Sequence, residues 1–441
     1  MNTKKVLILG NYWPHVRGGH RISPLLRNLS SYGYDPILIT MWPKEMPKLK
    51  PCDEYSIIYA DELNLENVFK YLFDKLRILN FLKKNSIESE PQFDTKQKRR
   101  SSLLIYMSYA LGRIRKFIAS LLFIPDEYNL SLFRIKRLAN EFLKDNKVDL
   151  ILTEFPIIFH LAGSSISKKY SLPWIADFVD PWADNFNYPH GFLRQKLDRF
   201  IQKSSLSPAA AVVTVSPVWQ ENNLFYNSNS LCIEHSFREE LPPKNEPLEK
   251  INILYAGRIY PEIQDHKLFF KLLKNYLNKV PKLEDMLKVK FVGEGANEDM
   301  LRLSDSFGLG GCIEIGSRVD PKTLSRLKED ADLLMIYCTN SSKDGWYTSK
   351  LFDYIGANRP ILAMGHNENN IIADFILKNN LGYFVHDDHT FSKLFDDMIR
   401  RVEHSMQFHN LSSEAFVSSF HESKMTERFT RLFDTVIEEY E

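Results

Sequence analysis

Asp344, Thr348, Ser349, Lys350 and Asp353 crowd around one helix start in the stretch DGWYTSKLFDYIGANRPILAMG, which begins at Asp344. A helix that only has to begin needs one capping side chain. Hydroxyls, an ammonium and free backbone N–H groups at the same place can also hold an anion such as a phosphate. Thr348 and Ser349 either cap the helix or donate to that phosphate. Asp353 either accepts hydroxyls from a ligand or interacts favourably with the helix dipole. A second group is Gly257-Arg258 in YAGRIYPE. There a guanidinium follows a glycine at a strand end, where it can pair with two phosphate oxygens. Glycine-containing loops recur in FVGEGANED, with Gly293 and Gly295, and in GNYWPHVRGGHR, with His15, Arg17, Gly18 and Gly19. Glycine lets backbone approach a phosphate beyond the carboxyl ends of parallel strands, although each loop alone is equally a plain turn. His160, Asp177 and Asp180 lie at or near other strand ends. Asp180 either points into a binding cleft or caps its loop, and His160 fits packing as readily as binding. There is no evident nucleophile–base pair. The dinucleotide fingerprint GxGxxG is absent, which argues against an NAD domain. The cysteines, Cys52, Cys232, Cys312 and Cys338, have no zinc spacing. A reducing compartment with no metal and no other cofactor is expected.

These residues need strands and helices to position them. KVLILG, YDPILIT, VDLILTE, PWIADF and AAVVTVS are short continuous apolar runs, as buried parallel strands are. Between the first two, Ile22, Leu25, Leu26 and Leu29 fall on one helical face. The alternation restarts with INILYAGRI, VKFVGEG, CIEIG, DLLMIYC, RPILAMG and LGYFV, separated by helical stretches such as HKLFFKLLKNYL and PKTLSRLKEDA. The pattern predicts two open α/β sheets. REELPPKNEPLEK, between them, reads as a linker.

With 441 residues, 44% hydrophobic and 26% charged, the chain can build two or three cored domains. Lys+Arg is 57 against Asp+Glu 56, so the net charge of +1 gives no pull towards nucleic acid. No apolar run approaches a membrane span, and the N-terminal VLILG is too short for a signal peptide, so a cytoplasmic protein is expected. One segment, around 64–125, breaks the α/β pattern. Lys98, Arg99, Arg100, Arg113, Arg115 and Lys116 punctuate an apolar run in it. It reads either as an inserted helical hairpin packed on the first domain, or as a surface for an anionic membrane or a lipid-linked substrate. The second reading would place the protein peripherally at the inner face of the plasma membrane.

The order of these motifs resembles the GT-B glycosyltransferases, specifically the family 4 group of retaining sugar transferases of bacterial polysaccharide assembly. YWPHVRGGHRISPLLRNLSSYGYDPILIT resembles the group's opening proline–Gly-Gly loop, helix and second strand. PWIADFVDPWADN resembles the D-x-x-D-P-W element of one subgroup, ILYAGRIYPE the glycine–arginine donor loop, and SKLFDYIGANRPILA the helix that holds the nucleotide sugar. The resemblance implies an α/β fold of GT-B type, with two Rossmann-like, doubly wound parallel-sheet domains facing across a cleft. Residues 1–238 would bind the acceptor, with the helical insertion around 64–125. Residues 239–405 would bind the nucleotide sugar, and helices in 406–441 would cross back to the first domain. The implied activity is hexosyl transfer from a nucleoside-diphosphate sugar to a glycan or lipid-linked acceptor in lipopolysaccharide or capsule assembly. Arg258 and Lys350 would be catalytic, offsetting charge on the leaving diphosphate. Gly257, Gly293, Gly295, Asp344, Thr348, Ser349 and Asp353 would bind the donor, with Asp353 on the ribose. His15, Arg17, Gly18, Gly19, His160, Asp177 and Asp180 would serve the acceptor side. The chain departs from the group twice. Gly345 stands where a sugar-contacting Glu is usual, and no lysine follows Arg258 at the usual spacing. A sugar-nucleotide epimerase of the same fold, or a catalytically silent glycan- or partner-binding protein, is the alternative.

Overall fold

A computed structural model describes residues 3–12, 21–43, 48, 55–64, 124–185, 188, 191–244, 246–341, 345–407 and 412–441. His15, Arg17, Gly18, Gly19 and Asp344 lie outside the described residues, as does nearly all of the basic, apolar segment around 64–125. The chain divides into two compact units. The first comprises Met1–Thr214, Gln220–Leu231 and Thr430–Glu441, and the second Val215–Trp219 and Cys232–Phe429.

The first unit is built from β1 (Lys4–Leu9), α1 (Ile22–Asn28), β2 (Tyr34–Trp42), β3 (Ser56–Asp61), α2 (Ser131–Asp145), β4 (Leu150–Thr153), α3 (Ile157–Tyr170), β5 (Trp174–Phe178), α4 (Phe192–Leu206) and β6 (Ala211–Thr214). Helix α5 (Pro217–Asn223) and β7 (Ser230–Cys232) follow. The sheet order is β3-β2-β1-β4-β5-β6-β7. Strands β1 to β6 pair in parallel. Their continuous apolar runs are buried because helices cover both sheet faces. Ile22, Leu25, Leu26 and Leu29 are buried, as their spacing requires. The sequence pattern missed β3 and β7. Edge strand β3 is half-exposed and β7 has three residues, so neither shows a buried run.

The second unit carries β8 (Ile251–Ala256), α6 (Lys267–Leu277), α7 (Leu283–Met286), β9 (Leu287–Val292), α8 (Asn297–Phe307), β10 (Ile313–Gly316), α9 (Pro321–Asp330), β11 (Leu333–Tyr337), α10 (Ser349–Gly356), β12 (Ile361–Met364), α11 (Ile371–Lys378), β13 (Gly382–Val385), α12 (Asp388–Glu403) and α13 (Glu414–Ser418). Its parallel sheet runs β10-β9-β8-β11-β12-β13. Two apolar clusters fill it, one around Phe269, Phe291 and Phe391, the other around Phe352, Ile355 and Ile372. Helix α14 (Glu422–Tyr440) closes the chain. The proline-rich stretch read as a linker is packed into this unit. Leu241 and Leu248 are buried, and the Arg359 guanidinium donates to the Pro242 carbonyl at 2.8 Å.

Candidate functional site

An open parallel sheet leaves a crevice beyond its strands' carboxyl ends where the strand order reverses. In the second unit that point falls between β8 and β11. β8 leads into Gly257-Arg258, and β11 leads into the loop before α10. Gly257, Gly293 and Gly295 have φ of +126°, +152° and +115°, values that side chains rarely adopt. A Cβ on Gly293 would lie 1.9 Å from the Gly257 carbonyl oxygen, and one on Gly295 would lie 2.2 Å from that of Ile259. The two loops are stitched by Gly257 N–H to the Val292 carbonyl at 2.8 Å and Ile259 N–H to the Glu294 carbonyl at 2.9 Å. Only glycine permits backbones this close at the strand ends.

Lys350 reaches this edge from the first turn of α10. A Cβ on Gly257 would meet its Cε at 2.8 Å. Nζ lies 3.9 Å from the centre of the Tyr255 ring and donates to the Tyr255 hydroxyl at 2.6 Å. That hydroxyl in turn donates to the Arg258 carbonyl at 2.9 Å. Desolvation pushes the Lys350 pKa down to about 7. Lys350 thus brings its amine from α10 to the loop that carries Arg258. Arg258 is exposed, its guanidinium 5.4 Å from the centre of the Tyr260 ring.

Thr348 is the N-cap of α10 by backbone conformation, yet its side chain makes no capping bond. Its hydroxyl is buried and without a hydrogen-bond partner. The crowding at this helix start thus has a physical content: the cap position is filled by a residue whose donor is unused. Ser349 opens the helix. Asp353, one turn on, pairs with the Lys328 ammonium of α9 at 3.0 Å, and Lys328's side chain is only 6% exposed. Asp353 itself is 44% exposed, so its carboxylate remains open to a further donor. Gly345 has φ of +64°, and a Cβ there would lie within 2.7–2.8 Å of Trp219 and Val218 of α5. A side chain there would collide with Trp219 and Val218, at the position where the group that the sequence resembles usually has Glu.

The first unit has its own reversal point, between β1 and β4. Glu154, immediately after β4, is buried, and its Oε2 has no hydrogen-bond partner. Burial foremost, then the Asp177 charge, hold its pKa well above the usual carboxylate range. Asp177, on β5, accepts from Arg21 Nε at 2.7 Å in a pair buried on both sides. Desolvation raises its pKa too, with Arg21 opposing. Asp180 is exposed just beyond β5. A carboxyl whose burial favours its protonated form, near an ion-paired carboxylate, can offer both donor and acceptor to a hydroxyl-rich ligand. His160 is held in packing: Nδ1 meets the Thr153 hydroxyl at 2.8 Å and the ring stacks on Phe178 at 4.1 Å. Burial drives its pKa down to about 3, so it is neutral.

Lys350 and Gly257 were both expected at the donor site, and they touch. Gly293 and Gly295 support the same loop. Arg21, Glu154 and Tyr255 belong to these strand-end clusters and were not singled out from the sequence. Among the described residues no group of three His, Cys, Asp or Glu side chains is placed to hold a metal ion.

No family model matches the chain, and no curated protein matches it by sequence. Solved structures match its fold over nearly its whole length. A sucrose-phosphate synthase from Thermosynechococcus elongatus is 11% identical with a TM-score of 0.63, covering 99% of this chain and 100% of that one. TarM is 12% identical with a TM-score of 0.60, covering 98% and 99%. HepE of Anabaena, crystallised with UDP and glucose, is 12% identical with a TM-score of 0.56, covering 98% and 100%. At such identities the likeness establishes architecture, and the architecture is that of the GT-B fold, two Rossmann-like parallel-sheet domains.

Proposed function

We propose that the chain is a retaining glycosyltransferase that moves a hexose from a nucleoside-diphosphate sugar to a glycan or lipid-linked acceptor in cell-surface polysaccharide assembly. The observation that carries this reading is Lys350, brought against Gly257 at the reversal point of the second sheet. There, glycine-only backbone, an unused Thr348 hydroxyl and the Arg258 guanidinium supply what a diphosphate needs. The HepE structure with UDP and glucose supports the same ligand class.

In the proposed reaction the bond between the sugar's anomeric carbon and the diphosphate oxygen breaks, and its electron pair leaves with the diphosphate. Lys350, as ammonium, and Arg258 offset that charge. The acceptor oxygen bonds to the anomeric carbon on the face the diphosphate vacates, and its proton passes to the leaving phosphate. In the first unit, Glu154 and Asp177 are the groups suited to take hydroxyls of a sugar ligand. Incubation with a panel of nucleotide sugars, followed by thermal stabilisation and product analysis, tests the reading. Transfer to an acceptor supports it. Stabilisation without turnover would favour a silent binder, which the closed Gly345 position also favours, and turnover without an acceptor would indicate an epimerase.

Two substitutions test individual residues. Arg258→Ala should lower turnover by about 10²-fold or more, with only partial recovery in Arg258→Lys because the two-pronged guanidinium is lost. A near-normal rate in the alanine variant would remove Arg258 from the site. Asp353→Asn should lower nucleoside diphosphate affinity at least about tenfold, since each charge-assisted bond to a ribose hydroxyl is worth roughly 1.5–3 kcal/mol. It should also lower the melting temperature, because Lys328 loses its partner. Asp353→Glu should be tolerated. A lowered melting temperature with unchanged affinity would assign Asp353 to Lys328 alone.

A further inference from the structure

Helix α4 turns an apolar face outward. Phe192 is 65% exposed, Leu193 81% and Phe200 71%, with Leu197 at 40%. At 100° per residue Leu193, Phe200 and Leu197 fall within one narrow arc. Lys196, Arg199 and Lys203 lie along the edge of that arc with Phe192. Leu224 and Phe225, 49% and 65% exposed, extend the apolar surface beyond α5. Phe225 adjoins the helix, for Lys203 Nζ lies 5.0 Å from its ring centre.

The exposed charges of α4 itself are basic, and Glu221 is an exposed acid one turn before Leu224 and Phe225. The sole acid of α4, Asp198, is buried against Arg194 at 2.8 Å. Asp184 beside the helix is taken up by Arg199 at 2.7 Å. Lys196 lies over the Phe192 ring at 4.5 Å. Lysine ammonium groups held over aromatic rings beside an apolar face suit the boundary between lipid chains and anionic headgroups. A protein partner of this site would have to match that basic rim with acids. An anionic bilayer presents such charge continuously. No helix among the described residues is long and apolar enough to cross a membrane.

We infer that the outer face of α4, with Leu224 and Phe225, docks the chain onto a bilayer containing anionic phospholipid. This builds on the lipid-linked acceptor proposed above, which gives the protein a reason to be at a bilayer. It rests on residues of the first unit's own helix and not on the segment around 64–125, which lies outside the described residues.

The test is co-sedimentation of the full chain with vesicles of phosphatidylcholine alone and of phosphatidylcholine mixed with phosphatidylglycerol. Preference for the anionic vesicles, weakened by salt, is expected. The variant Leu193→Glu with Phe200→Glu should lose binding by about tenfold or more. Lys196→Glu with Lys203→Glu should lose the preference for phosphatidylglycerol. All four side chains are at the surface, so melting curves should match the parent's. Binding unchanged in both variants would overturn the inference. So would failure to bind either vesicle, with or without self-association that the apolar variant abolishes. Titrating nucleoside diphosphate into the same preparations separates the two proposals: normal nucleotide affinity without vesicle binding sinks the docking surface alone, and vesicle binding without nucleotide affinity sinks the donor site alone.

Discussion

Replacing Lys350 with methionine is expected to lower nucleoside diphosphate affinity about a hundredfold at neutral pH and to remove most of its pH dependence. Lys350 sits on the Tyr255 ring with its pKa lowered to about 7, so near neutrality the free protein is divided between amine and ammonium. A diphosphate beside Gly257 favours the ammonium and raises that pKa in the complex. At a few ångströms and an effective dielectric constant near 20, one such charge pair is worth up to roughly 4 kcal/mol, and a net 2–3 kcal/mol gives the hundredfold. The sign of the pH effect follows. Below a pH of about 7 the free protein already carries the proton, and affinity is flat. Above it, binding must take up a proton, and affinity falls by up to about tenfold per pH unit until the complex itself deprotonates. The unliganded protein shows the opposite trend. Unfolding releases Lys350 to an ordinary lysine pKa and takes up a proton, so stability rises as the pH climbs from about 7 towards the ordinary value of 10.5. Methionine keeps the apolar stem over Tyr255 and should flatten both curves. Calorimetric titration in two buffers of unlike ionisation enthalpy reads the proton uptake directly. Parental affinity that stays constant between pH about 7 and about 9 would mean that the ammonium does not meet the ligand.

That lysine also shows what a sequence can and cannot display. Strands β8 and β11 were legible because buried parallel strands leave unbroken apolar runs. The start of α10 was legible because its polar residues exceed what a cap requires. The contact between Lys350 and Tyr255 was not, since 95 positions separate them and only the strand order brings α10 back beside β8. Gly345 could be seen as a departure, but not its cause, which is the indole of Trp219 occupying the space a side chain would need. Asp353 read as a ligand for hydroxyls or for the helix dipole. Its pairing with Lys328 involves a third helix face that no local pattern encodes. Arg21 and Glu154 were passed over for a similar reason. Each is a single charged residue at the end of an apolar or glycine-rich stretch, where solvent exposure is the ordinary outcome. The signal in the sequence was position: Glu154 closes a strand that lies at the reversal point, and that neighbourhood is fixed by topology alone.

The Arg21–Asp177 pair and its neighbour Glu154 carry the second large effect. Asp177→Asn is expected to cost about 3 kcal/mol of folding stability, the lower end of the usual loss when one partner of a buried ion pair is removed. Glu154→Gln alone should cost almost nothing below a pH of about 4.5, where the parent's carboxyl is protonated in both the folded and the unfolded chain and the amide copies its shape and neutrality. Above a pH of about 4.5 it should even become stabilising. The folded protein holds Glu154 protonated while the unfolded chain ionises, so the parent loses stability as the pH rises from the ordinary glutamate value towards Glu154's raised one, and the glutamine variant does not. The double variant separates the roles. With Asp177 neutralised, Glu154 can ionise and serve as the counter-charge to Arg21, because Arg21 already pulls its pKa down. Removing both carboxylates takes two counter-charges from a fully buried guanidinium, and the cost should rise to about 5 kcal/mol, well beyond the sum of the single changes. Chemical denaturation of the three variants measures each term. Additive costs would mean that Glu154 does not share the guanidinium, and the two carboxyl groups would then have to be treated as independent features of the strand ends.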